Sequence, residues 1–206
     1  MKTINQYIQE KLIINRNTNA KEYKYHPEST TELKQLVKQL IEKRGNEANL
    51  NDIDTSLITD MSELFKGDKE FNGDISEWDV SNVENMSEMF KTALKFNGDI
   101  SKWDVGKVID MSWMFCGAEV FNQPLNDWNV SNVEDMDHMF AWAESFNQPL
   151  DKWDVSKVEN MESMFMGAEK FNQKIGSWKV SKKTNRREMF KWATNFNIDE
   201  IQNWNL

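Results

Sequence analysis

Apolar residues recur along this chain with a period of 25 residues. Residues 71–95 read FNGDISEWDVSNVENMSEMFKTALK, and the text returns without insertion at 96–120, 121–145, 146–170 and 171–195 before a partial copy from Phe196. Within one copy, Trp78 and Val80 flank Asp79 with period two, which predicts a short half-buried strand. Met86, Met89, Phe90 and Ala93 then follow at i, i+3, i+4 and i+7, which predicts about two turns of helix. One strand and one helix per copy predict an α/β fold, a right-handed leucine-rich-repeat-like solenoid of strand–helix coils. Its strands would stack in one parallel sheet about 4.8 Å apart. Units of this size bury their apolar face only against their neighbours.

The first 48 residues share none of the pattern. Thr3 is placed to cap a short helix carrying Ile4, Tyr7, Ile8 and Leu12, and EYKYHP reads as a strand. Ser29 followed by Glu32 has capping-box spacing. Behind it Leu33, Leu36, Val37, Leu40 and Ile41 share one helical face, and Gly45 stands where a helix ends. Residues 1–48 thus read as a helix–strand–helix cap and 49–206 as the repeat body. That body divides into a half coil at 49–70, five full repeats at 71–195 and a partial repeat with cap at 196–206. Each invariant position forms a rung. Trp78, Trp103, Trp128, Trp153 and Trp178 make one, and phenylalanines from Phe90 to Phe190 and from Phe71 to Phe196 make two more. The asparagines from Asn72 to Asn197 read as bonding turn backbone that no regular element satisfies.

The pattern F-N-x-x-[IL]-x-x-W-x-V-x-x-V-x-x-M-x-x-M-F-x-x-A, carried by residues 50–206, resembles the repeats of BspA-like surface proteins and related mycoplasma lipoproteins. That family is grouped with the leucine-rich repeats. The resemblance implies a bacterial binding scaffold, in some relatives an adhesion protein, with no catalytic or ligand residues to carry over.

Composition adds bulk to this picture: 9 Trp, 12 Phe and 12 Met suit a narrow core filled by large side chains. Cys116 is the one cysteine, so no internal disulfide framework exists. No apolar run spans a bilayer and the N-terminus is a poor signal peptide, so the chain reads as cytoplasmic as written. A cell-surface or secreted location is the alternative if a leader was removed. Residues 1–48 carry nine Lys/Arg against six Asp/Glu, and residues 49–206 sixteen against twenty-eight, a net −12. Such a body repels a phosphate backbone, which argues against nucleic acid as a partner.

Candidate chemistry is sparse. No Walker, GxGxxG, HExxH or CxxC pattern occurs, and no cofactor is implied. Repeat phase places Cys116 and His138 on adjacent coils, but no orienting group or oxyanion hole accompanies them, so the chain reads as no enzyme. The Asp79, Asp104 and Asp154 rung reads as Asx turns, with calcium as the lesser alternative. Binding is better sought where copies differ. One such phase holds Glu88, Trp113, His138, Ser163 and Glu188, and another Thr92, Gly117, Trp142, Gly167 and Trp192. Trp113, His138, Trp142 and Trp192 are therefore candidate protein-binding residues, with packing into the gaps at Gly117 and Gly167 as the competing role. The last full copy replaces core residues with Lys183 and Arg186, and Lys182 and Arg187 join them. Seven basic residues against Glu188 leave it at +6. A wet terminal coil explains this, and so does head-to-tail self-association or an acidic partner. The sequence thus predicts a non-enzymatic protein–protein interaction module. An adhesin, and an acidic nucleic-acid mimic inhibiting a basic protein, are the alternatives.

Overall fold

The computed structural model describes residues 22–202 and residue 204. Its one α-helix among them, α1 (Thr30–Arg44), forms where the capping signals stand. The Ser29 hydroxyl accepts from the Glu32 N–H, and the Glu32 carboxylate accepts from the Glu28 N–H at 2.9 Å. Gly45 ends the helix at φ +89°, a conformation that costs a residue without Cβ little. The helix expected near Thr3 lies outside the described residues. The expected strand around Tyr25 reduces to a single parallel bridge between Tyr25 and Ile53.

The α/β leucine-rich-repeat-like solenoid is not what the repeat forms. Among the described residues there is no extended strand and no helix within any repeat, only turns and isolated parallel bridges such as Asp60 to Asn85 and Asn85 to Asp110. Each copy is a succession of tight turns. In the first full copy these close from the N–H groups of Trp78, Val83, Met89, Lys91, Ala93 and Phe96 to the carbonyls three residues back. The segment read as a helix is the clearest departure. Met89, Lys91 and Ala93 donate within the copy, while Met86, Glu88, Phe90 and Thr92 donate at 2.7–2.9 Å to Asp110, Ser112, Met114 and Cys116 of the next copy. A helix would have kept every N–H for itself. Here every second donor joins neighbouring coils, and the spacing of apolar residues is the same in both cases.

That division of hydrogen bonds demands a particular backbone. The third residue of the turns 86–89 and 90–93 has positive φ, 56° at Glu88 and 57° at Thr92, as a type II turn requires. The same two phases are left-handed in every copy, at Glu63, Trp113, His138, Ser163 and Glu188, and at Gly67, Gly117, Trp142, Gly167 and Trp192.

The coils stack into one continuous core. Phe65, Phe90, Phe115, Phe140, Phe165 and Phe190 lie 5.4–5.7 Å apart, ring upon ring. A second phenylalanine column from Phe71 to Phe196 repeats at 5.9–6.1 Å. Each ring of one column also meets a ring of the other, as Phe90 and Phe96 do at 4.0 Å. The tryptophans are buried with their polar atom satisfied: Trp103, Trp128 and Trp153 donate through Nε1 to the carbonyls of Ile75, Ile100 and Leu125 in the preceding coil. The asparagines form a ladder of their own, in which the side-chain oxygens of Asn72, Asn97, Asn122 and Asn147 accept from the backbone N–H of the asparagine one copy later. The aspartate rung bonds locally, Asp79 and Asp154 accepting from the N–H groups of Ser81 and Ser156.

The two ends of the stack differ. At the first half coil, the cap supplies what a preceding coil would. The Thr30 hydroxyl donates to the Asp60 carbonyl at 2.6 Å. Arg44 reaches the Asn49 carbonyl and grips Asp52 with both terminal nitrogens at 2.8–2.9 Å, which holds that carboxyl below its usual range. Leu33, Leu36, Val37 and Leu40 close the core from above. At the last coil the charge that replaces a core residue stays in solvent. Lys183 stays exposed, and Thr184 turns inward instead, its hydroxyl on the Val158 carbonyl at 2.7 Å. A 3-10 turn at Ile198–Ile201 then brings Trp204 onto Trp178 at 6.0 Å.

Candidate functional site

The variable aromatic residues all sit at left-handed corners of the turns, not on the outer face of a helix. Trp113 (φ 60°) and His138 (φ 52°) occupy one such column in adjacent coils. Their rings stack at 3.9 Å and 7°, and the Trp113 indole donates to Asp137 Oδ2 at 2.9 Å. The His138 Nδ1 pairs with Asp137 Oδ1, so one carboxylate orients both rings. The Lys91 ammonium lies 3.9 Å from the Trp113 ring centre and also pairs with Glu88 at 2.9 Å. Hydrogen bonds from Lys66 and then Lys91 hold the Glu88 carboxyl below its usual range. This column is half-buried and internally satisfied.

The second column is open. Trp142 is 42% exposed and Trp192 56% exposed, although they belong to coils two apart. They meet because Gly167 stands between them: a Cβ there would come within 2.4 Å of the Trp142 ring. Across that gap the two indoles approach to 5.5 Å at 40°. The Lys191 ammonium lies 4.6 Å from the Trp192 ring. Packing over glycine and exposure to solvent are therefore both true of Trp142. The result is a tilted tryptophan pair on rigid turns, close to a cation.

The basic candidates divide as well. Arg187 pairs with Glu162 at 3.6 Å and Lys191 with Glu188 at 3.1 Å. Lys182 and Lys183 are exposed and, like Arg186, have no acidic partner among the described residues. Arg186 lines a cavity of about 360 Å³ at the end of the stack, together with Met189, Phe190, Ile198, Ile201 and Trp204. Sequence reasoning marked the basic coil but not this hollow, which Ile198 and Ile201 of the 3-10 turn and Trp204 beyond it help to enclose.

Cys116 is buried, and burial pushes its thiol up to about 11, so it stays protonated at neutral pH. The His138 ring is committed to Trp113 and Asp137. Among the described residues no group of three or more His, Cys, Asp or Glu side chains is arranged to hold a metal ion, and no helix is long and apolar enough to cross a membrane.

Residues 31–146 and 125–206 both match the family described as mycoplasma protein of unknown function, DUF285. The chain belongs to this family. The DUF285 matches overlap and together run from the first turn of α1 to the end of the chain, so the capping helix falls inside the family's unit along with the coils. No curated protein and no solved structure matches the chain.

Proposed function

We propose that this DUF285 chain is a non-enzymatic protein–protein interaction module, a repeat scaffold of the BspA-like type that presents side chains from its turn corners. The observation that carries this reading is the Trp142–Trp192 pair. Two large aromatic rings stand exposed, Trp142 on a corner whose N–H donates to the Met166 carbonyl of the next coil and Trp192 beside Lys191, whose carbonyl accepts from Gly167, and neither belongs to the buried core. Exposed tryptophans on a rigid frame lose little entropy on contact and rank among the strongest anchors of protein interfaces. The Trp113–His138 stack beside Asp137 supports the same reading with a second, more polar patch.

The test is a paired substitution, Trp142→Ala with Trp192→Ala, in the intact chain. The melting temperature should stay nearly unchanged, and partner proteins captured by the unaltered chain should be lost. Capture that survives the paired substitution removes the tryptophans from the interface, and a large drop in melting temperature makes them packing residues.

A further inference from the structure

We infer that the C-terminal end of the stack is a docking edge for an acidic peptide segment of a partner protein. Between every pair of successive coils, four N–H groups of one coil donate to four carbonyls of the next. Met61, Glu63, Phe65 and Gly67 begin the series, and Met161, Ser163, Phe165 and Gly167 end it on Asn185, Arg187, Met189 and Lys191. Arg186, Glu188, Phe190 and Trp192 hold the same four positions in the last coil. Their N–H groups have no acceptor among the described residues.

These donors form a preorganised set. Glu188 and Trp192 have φ of 55° and 63°, so a left-handed corner stands at every second of the four donors. The turns send every second N–H, those of residues 186, 188, 190 and 192, outward along the stack, while Met189 and Lys191 donate within the coil, and rows of amides presented in this way bind anionic oxygens. Four columns of aligned peptide dipoles end here with their positive poles outward. Charge reinforces the same preference: Lys182, Lys183 and Arg186 have no acidic partner among the described residues, and residues 171–195 carry seven basic side chains against one acidic. The hollow of about 360 Å³ beside the row adds an apolar element. Trp204, only 4% exposed, lines it with a buried indole N–H that has no hydrogen-bond partner among the described residues.

The occupant follows from these features. The row offers donors only, because the carbonyls of Asn185, Arg187, Met189 and Lys191 are taken by the coil before it, so its occupant must present acceptors, as the side-chain carboxylates of an acidic segment do. Carboxylates along it would meet the cations, and an apolar side chain would enter the hollow. A second copy stacked head to tail fits less well. Its Asp60 carbonyl is already taken by Thr30, and its first coil lies under α1. A long polyanion such as nucleic acid would have to pass the acidic coils behind the edge.

A fluorescent peptide of alternating Glu and Leu is the probe, with a Gln–Leu peptide and inorganic polyphosphate as comparators, all added to the intact chain. The Glu–Leu peptide should bind at least about tenfold more tightly than the Gln–Leu peptide and weaken with salt. Binding should slow amide exchange at Glu188, Phe190 and Trp192 while leaving Phe140 unaffected. Lys182→Gln with Lys183→Gln, both at exposed sites, should weaken binding about tenfold without shifting the melting temperature. Equal binding of the Gln–Leu peptide, absence of protection at the three amides, or equally tight polyphosphate with the same protection would each overturn the proposal. So would self-association that excludes the peptide. Failure of the Trp142–Trp192 reading shows elsewhere, as partner capture insensitive to the tryptophan substitutions, so the two ideas fail separately.

Discussion

Trp128 shows how much a single residue position contributes. Its ring is buried in the stack, and its indole N–H donates to the Ile100 carbonyl at 3.1 Å, so it fills the core and satisfies a polar group of the coil before it. Trp128→Ala removes both roles and should destabilise the protein by about 3–5 kcal/mol in denaturant unfolding. A loss below about 1 kcal/mol would mean that the rung does not hold the coils together. These core residues were legible in the sequence because a rung repeats the same physical demand in every coil. Phe, Trp and Asn recur at one phase, and the structure uses each recurrence for one contact: ring on ring, indole on carbonyl, amide oxygen on the next asparagine's N–H. Positive φ was harder to read at Trp113, His138 and Trp142, which are large side chains that seldom adopt it. The signal was present all the same, in the glycines at 67, 117 and 167 that share the phase of Thr92, Trp142 and Trp192.

At the scale of the element, the i, i+3, i+4, i+7 spacing from Met86 to Ala93 fits an α-helix and a chain of turns equally well. Periodicity reports which side chains face the core, not where the N–H groups go. α1 is different because its ends carry their own chemistry, Ser29 and Glu32 at one and Gly45 at the other, so its position was legible where the repeat's backbone was not. Thr92 tests the turn geometry directly. A β-branched residue held at φ 57° is strained by roughly 1–2 kcal/mol, and glycine, which Gly67 and Gly117 supply at the same phase in the coils on either side, adopts that conformation freely. Glycine gives back part of that gain through the entropy of its unfolded chain. Thr92→Gly should therefore raise stability by up to about 1 kcal/mol, read as a higher unfolding midpoint. In a helix the same substitution would cost about 0.3 kcal/mol, so the sign alone distinguishes the two backbones.

For the whole molecule, stability is divided among interfaces between neighbouring coils, so the ends decide where opening begins. The N-terminal end is closed three ways: Thr30 on the Asp60 carbonyl, Arg44 on Asn49 and Asp52, and the apolar face of α1 over the first coil. The C-terminal end keeps a stacked Trp204 but leaves four backbone donors without an acceptor among the described residues and Phe190 only partly buried. Opening should start from that side and progress inward one coil at a time. Hydrogen exchange on the free protein should show this as a gradient. Arg186, Glu188, Phe190 and Trp192 should exchange fastest, Met161, Phe165 and Gly167 more slowly, and Met111, Phe115 and Phe140 most slowly. Met61 and Phe65, under the cap, should approach the central values despite lying in a terminal coil. Symmetric fraying from both ends would show that α1 does not take the place of a missing coil. Uniform slow exchange through Trp192 would show that the donor edge is already closed, leaving nothing for a peptide to pair with.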